Sequence, residues 1–115
     1  MSYEIIRHKD FDVSLKRLAK RYRSIADDYE RFLDELEENP FQGAELSPGI
    51  RKIRMAITSK GRGKAGSARV ITANAIIAEH EGRIALLTIY DKQDAATVRL
   101  NVIKQMAQEI GLEVG

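Results

Sequence analysis

The chain contains no cysteine. Disulfides, thiolate zinc sites and cysteine nucleophiles are therefore excluded, and the composition suits a reducing cytoplasm. No apolar run approaches the roughly 20 residues that a membrane-spanning helix needs. The opening segment, MSYEIIRHKD, lacks the long apolar stretch of a secretory signal. There are only two histidines, His8 and His80, far apart in sequence. A two-histidine ribonuclease needs both imidazoles at one phosphate, and a strand residue and a hairpin tip do not suit that. Acids are missing where cations are densest: residues 51–69 hold seven Lys and Arg and no Asp or Glu. No carboxylate cluster at ligand spacing accompanies them, so metal catalysis is poorly supported and neither metal nor cofactor is expected.

The seven cations are Arg51, Lys52, Arg54, Lys60, Arg62, Lys64 and Arg69, which leaves the rest of the chain at −5 against a total of +2. Residues 27–38 carry seven acids against the single cation Arg31. This bipolar pattern reads as one face for a polyanion and one face that is simply solvated. Within the basic block lies SKGRGKAGSAR, residues 59–69, with three glycines and four cations. A nucleotide-hydrolase phosphate loop is ruled out, because no glycine lies five residues before a Gly-Lys-Ser/Thr. Gly61, Gly63 and Gly66 match G-x-G-x-x-G but open no helix, so a dinucleotide fold is ruled out too.

The periodicities give an element order. Residues 3–7 form a short strand. Phe11, Leu15, Leu18 and Tyr22 mark a helix with Asp10 as N-cap. A second helix starts at Ser24 with a Ser24–Asp27 capping box, carries Ile25, Tyr29, Phe32, Leu33 and Leu36 inward, and stops at Asn39-Pro40. Its aromatics keep helical spacing and belong to the core. Residues 40–49 read as loop. From Ile50 the period is two: Ile53, Met55 and Ile57 are buried, and Lys52 and Arg54 share the other face. The glycine-rich loop leads to a strand over 69–78, a Glu81-Gly82 turn and a strand over 83–90. Asp94 then caps a last helix with Val98, Val102, Met106 and Ile110 inward and Gly111 as its stop. The expected fold is one α+β domain spanning 1–115, β-α-α-β-β-β-α, with a small twisted, mainly antiparallel sheet packed by an N-terminal helical hairpin and a C-terminal helix.

Cations on paired strands suit one chemistry in particular. RNA carries its own nucleophile, the 2′-hydroxyl, so a protein that lines this oxygen up with phosphorus needs no metal. Arg and Lys stabilise the extra charge on the phosphorane, and a lysine crowded by cations is a proton carrier near neutrality. Lys52, Arg54, Arg69, Tyr90 and Lys92 are the candidate catalytic residues. Tyr90 either stacks on a base, donates a proton, or is an ordinary strand aromatic. Arg51, Lys60, Arg62 and Lys64 are the candidate contacts to the nucleic-acid backbone.

The segments LKRLAKRYRS and FLDELEENP, then IRKIRMAITSKGRGKAGSARVI and LLTIYDKQD, resemble the RelE/ParE superfamily of bacterial toxins, the HigB-like and RelE-like branch in particular. The resemblance covers residues 3–110. It implies a microbial-ribonuclease-like sheet whose basic face is the active site, a type II toxin–antitoxin pair, and ribosome-dependent cleavage of mRNA in the cytoplasm, suppressed by an antitoxin. Lys52, Arg54, Arg69 and Lys92 match basic positions of the family, and Lys60, Arg62 and Lys64 match a basic loop. The sequence departs from the family in two places. Thr72-Ala73-Asn74-Ala75 replaces aromatics after Arg-Val-Ile, and residues 95–100 lack the tyrosine some members carry there. Two other functions are compatible with the fold expected: a ParE-like toxin that inhibits DNA gyrase by binding, and a non-catalytic RNA- or ribosome-binding module. The antitoxin is expected to be acidic where it meets residues 51–69 and to supply the DNA-binding function.

Overall fold

A computed structural model describes residues 2–60, 66–78, 81–94 and 98–112. Strand β1 (Ser2–Arg7) leads into helices α1 (Lys9–Arg21) and α2 (Ile25–Glu38). Strands β2 (Ala44–Ser47) and β3 (Ile50–Ala56), a 3-10 turn (Thr58–Lys60), β4 (Ser67–Ala78), β5 (Glu81–Asp91) and helix α3 (Leu100–Glu109) follow. The sheet order is β1-β5-β4-β3-β2, antiparallel throughout except that β1 runs parallel to β5. Mixed α+β architecture and a mostly antiparallel sheet are therefore as expected. The extra strand β2 lies inside the stretch read as loop. It pairs with Ile50–Lys52 through a tight Pro48-Gly49 connection, where Gly49 takes φ +81°.

The two sheet faces bury separate cores. The helical hairpin covers one face, packing Phe11, Leu18, Phe32 and Leu36 on Ile53, Met55, Val70, Ile84 and Leu86. Helix α3 covers part of the other, with Ile103 and Ala107 on Ile50, Ile71, Ala73 and Leu87. This two-sided burial is why residues 70 and 71 are both apolar and the strand shows little alternation. In β5 the register slips by one residue: Ile71 faces Thr88, while Thr72 faces Leu86. Leu87 is the extra residue of a bulge. Before it, Ile84 and Leu86 point at the hairpin; after it, Ile89 and Asp91 do. Tyr90 is thereby delivered to the face of α3.

Four local expectations need correction. The N-cap of α1 is His8, whose Nδ1 accepts from the Asp10 N–H at 3.0 Å. Its Nε2 lies 2.7 Å from Glu109 on α3, so a buried imidazole ties the first helix to the last. The Ser24 hydroxyl forms no capping box; it is drawn away to Asp28. In α3 the fully buried residues are Ile103 and Ala107; of the four residues expected inward, Val98, Met106 and Ile110 pack half-buried on the same core, and Val102 is exposed. Val98, Val102 and Met106 also line a cleft of about 530 Å³ against Val13 of α1. Asp94 does not cap α3 and pairs with Arg21 at 2.6 Å.

Gly43 enters β2 at φ +83°, and a Cβ there would press on the carbonyl oxygen of Lys52. Gly43→Ala is expected to lower stability by about 1–3 kcal/mol, measured by chemical unfolding, because the backbone of β3 has no room to yield.

Candidate nucleic-acid interface

The register builds a cationic row. Arg54 on β3 lies opposite Arg69 on β4, and Arg69 lies opposite Tyr90 on β5. Directly paired residues share a face, so the three side chains stand in line across the sheet. The bond from Ile57 N–H to the Gly66 carbonyl shows that odd-numbered residues of β3 bond to β4. Arg54 and Arg69 therefore form a non-hydrogen-bonded pair, the type with Cα atoms only about 4.5 Å apart. Lys52 lies two residues back on the same face, opposite Ile71, where the core under α3 begins. Lys92 lies just past the end of β5, exposed, with its N–H 3.4 Å from the Ser67 carbonyl.

Like charges placed directly opposite destabilise a sheet. Among the described residues, no carboxylate forms an ion pair with Lys52, Arg54, Arg69 or Lys92. The Arg69 guanidinium is instead oriented by neutral oxygens, with Nη1 at 2.7 Å from Ser67 Oγ and 3.4 Å from the Ala68 carbonyl. These contacts fix its direction and leave its charge uncompensated. Burial holds the Tyr90 phenol above its ordinary value, against the opposing pull of Arg69. Tyr90 is thus a neutral O–H at physiological pH, able to donate a hydrogen bond or to stack.

Two of the candidate phosphate contacts are engaged elsewhere. Arg51 stands on the opposite face from Lys52. Its Nη1 lies 3.4 Å and 3.2 Å from the carbonyls of Gln42 and Gly43, and it covers the Phe41 ring. Its role is to hold the segment entering β2. Lys60 turns inward: its Nζ lies 3.0 Å and 3.1 Å from the two Asp91 oxygens and 5.1 Å from the centre of the Tyr22 ring. Arg62 and Lys64 lie outside the described residues, as does His80.

Two buried carboxylates, neither marked out by periodicity or spacing, anchor the stem of the basic loop. Asp91, with a side chain 0 % exposed, accepts from Tyr22 Oη at 2.6 Å, from Lys60 and from the Gln93 N–H, with Arg21 at 3.5 Å. Asp28 accepts from the Thr58 N–H and hydroxyl, from Ser24 and from Arg31. Burial pushes both carboxyls up, but the donors outweigh it and hold each below the usual carboxylate range. Lys60 is the mirror case: burial lowers it, and Asp91 more than restores it. Asp28 sits in the acidic run read as solvated, yet it is buried while its acidic neighbours are exposed. Ser24 is close to Asp28 in the chain, but Thr58 is 30 residues from Asp28 and Lys60 is 31 from Asp91, so spacing alone does not pair them.

What the fold and this surface define is a small α+β domain that presents uncompensated arginines beside a neutral tyrosine on one half of a sheet face. No protein-family model matches the chain.

Proposed function

We propose that the protein is the toxin of a type II toxin–antitoxin pair and a ribosome-dependent mRNA endonuclease of the RelE-like kind. The single observation that carries this reading is the Arg54–Arg69–Tyr90 row, an uncompensated pair of guanidiniums next to a phenol that keeps its proton. The family resemblance of the sequence segments and their strand-helix-helix-sheet order point the same way.

The chemistry follows from the residues. The RNA backbone is drawn along the row by Lys52, Arg54 and Lys92. The 2′-hydroxyl gives its proton to water and its oxygen attacks the adjacent phosphorus; the bond to the 5′-oxygen breaks, that oxygen takes up a proton, and a cyclic phosphate and a free 5′-hydroxyl result. Arg54 and Arg69 stabilise the phosphorane, and Tyr90 stacks on a base or protonates the leaving oxygen. The ribosome supplies the splayed conformation of the mRNA, which a flat basic face does not impose by itself. An antitoxin neutralises the same face.

The test is purified protein added to a reconstituted translation reaction with a defined mRNA, with 5′ ends mapped with and without ribosomes. New ends are expected only when ribosomes are present. Absence of new ends in both conditions would overturn the nuclease reading. A supercoiling assay would then separate gyrase inhibition from RNA binding alone.

A further inference from the structure

We propose that the outer edge of β3 at Arg54–Ala56 is a strand-addition site for an extended acidic segment of a partner protein. The argument starts from the ladder. Strand β2 pairs only with Ile50–Lys52, so β3 runs on beyond its neighbour. The bonds from Ile57 N–H to Gly66 and from Asn74 N–H to the Gly49 carbonyl fix which residues of β3 face β4: the odd-numbered ones. Hydrogen-bonding direction alternates along a strand, so Arg54 and Ala56 turn their N–H and C=O groups to the outside. Both residues are exposed, and no strand among the described residues lies beside them. No proline or bulge blunts this stretch, which makes it a template for pairing.

The two faces of the edge say what kind of strand fits. On one face stand Lys52 and Arg54 without ion-pair partners among the described residues. On the other, a cavity of about 180 Å³ opens between α2 and β3, lined by Asp28, Arg31, Phe32 and Glu35 of α2 and by Arg54, Met55 and Ala56 of β3. Side chains of an added strand alternate between these faces. Every second residue meets the cations and is best acidic. The residues between them meet the cavity and are best small and β-branched. Main-chain bonds supply affinity and the alternation supplies specificity, as in other strand-addition complexes. Such a strand would place carboxylates where the RNA phosphates meet Arg54; that consequence rests on the proposed nuclease reading, but the binding does not.

The test uses the full chain and a synthetic peptide of alternating glutamate and valine, with binding followed by fluorescence anisotropy. Saturable binding is expected, together with slowed hydrogen exchange at the Arg54 and Ala56 amides. Ala56→Pro removes only an outward N–H, a tolerated place for proline, and is expected to weaken binding at least tenfold. The second arm leaves the protein unchanged. Peptides N-methylated at the alternate residues that face β3 should lose binding, and peptides methylated at the other set should keep it. Equal binding by both methylated sets, or unchanged binding by a correctly folded Ala56→Pro, would show attraction by charge alone and overturn the proposal. So would equal binding of a lysine–valine peptide, or no saturation with the glutamate peptide. Because no RNA or ribosome is present, these outcomes are independent of whether the protein cleaves mRNA.

Discussion

Replacing Arg69 with alanine is expected to lower ribosome-dependent cleavage by about 10²–10³-fold, the loss typical of removing one preorganised donor to a developing oxyanion. The site explains why Arg69 is singled out. It occupies the centre of the row, with Arg54 on one side and Tyr90 on the other. Its guanidinium is already oriented by Ser67, so little reorganisation is needed when charge develops on phosphorus. Its removal also ends the opposition of like charges with Arg54, so thermal stability should hold or rise slightly. That combination, activity lost and stability kept, separates a catalytic role from a structural one. A salt titration of RNA binding gives an independent reading: losing one phosphate contact should reduce the slope by about 0.7 for a single strand. An unchanged cleavage rate in a folded Arg69→Ala protein would remove the row from the mechanism.

The second large effect concerns stability. Asp91→Asn is expected to cost about 3 kcal/mol, and to lower the melting temperature by roughly 10–15 °C. The substitution keeps the shape but removes the charge that Lys60, Tyr22 and Arg21 converge on. Lys60 is then held at low exposure without this carboxylate, which is the expensive half of a broken buried pair. The pH dependence has a definite sign. Asp91 and Asp28 both titrate below their unfolded value of about 3.9. Their contribution is fully present above that value and is lost as pH falls through the lower folded value. Lys60 is raised, so its contribution is present below about 10.4 and is lost as pH rises through its higher folded value. The gap between wild type and Asp91→Asn should therefore be widest near neutrality and close in acid, as wild type itself becomes protonated. A constant gap between pH 7 and pH 2 in urea titrations would contradict the assignment of the charge to this pair.

Much of the frame was legible in the sequence because it rests on periodicity. Phe11 and Leu18 at helical spacing, and Ile53, Met55 and Ile57 at strand spacing, bury themselves where their patterns put them. The same alternation places Lys52 and Arg54 together on the opposite face. The helix and strand periods are properties of the backbone, so one chain segment suffices to read them. Strand β2 escaped because its four residues, Ala-Glu-Leu-Ser, carry too little pattern. It exists because Gly43 and Gly49 let the chain turn back on β3.

What only the tertiary structure decided is which charges are free and which are engaged. Arg51 and Lys60 look like Lys52 and Arg54 in the sequence, yet one holds a loop and the other is committed to Asp91. A cation's availability depends on the residues that other segments bring beside it, and these lie up to tens of positions away. The extra residue at Leu87 is the clearest case. Strand alternation has a period of two, so a single inserted residue exchanges the two faces for everything after it. That insertion sends Asp91 into the hairpin core and Tyr90 to the arginines. The sequence by itself determined the helices, the longer strands and the strand that carries the cations; the register between strands determined the site.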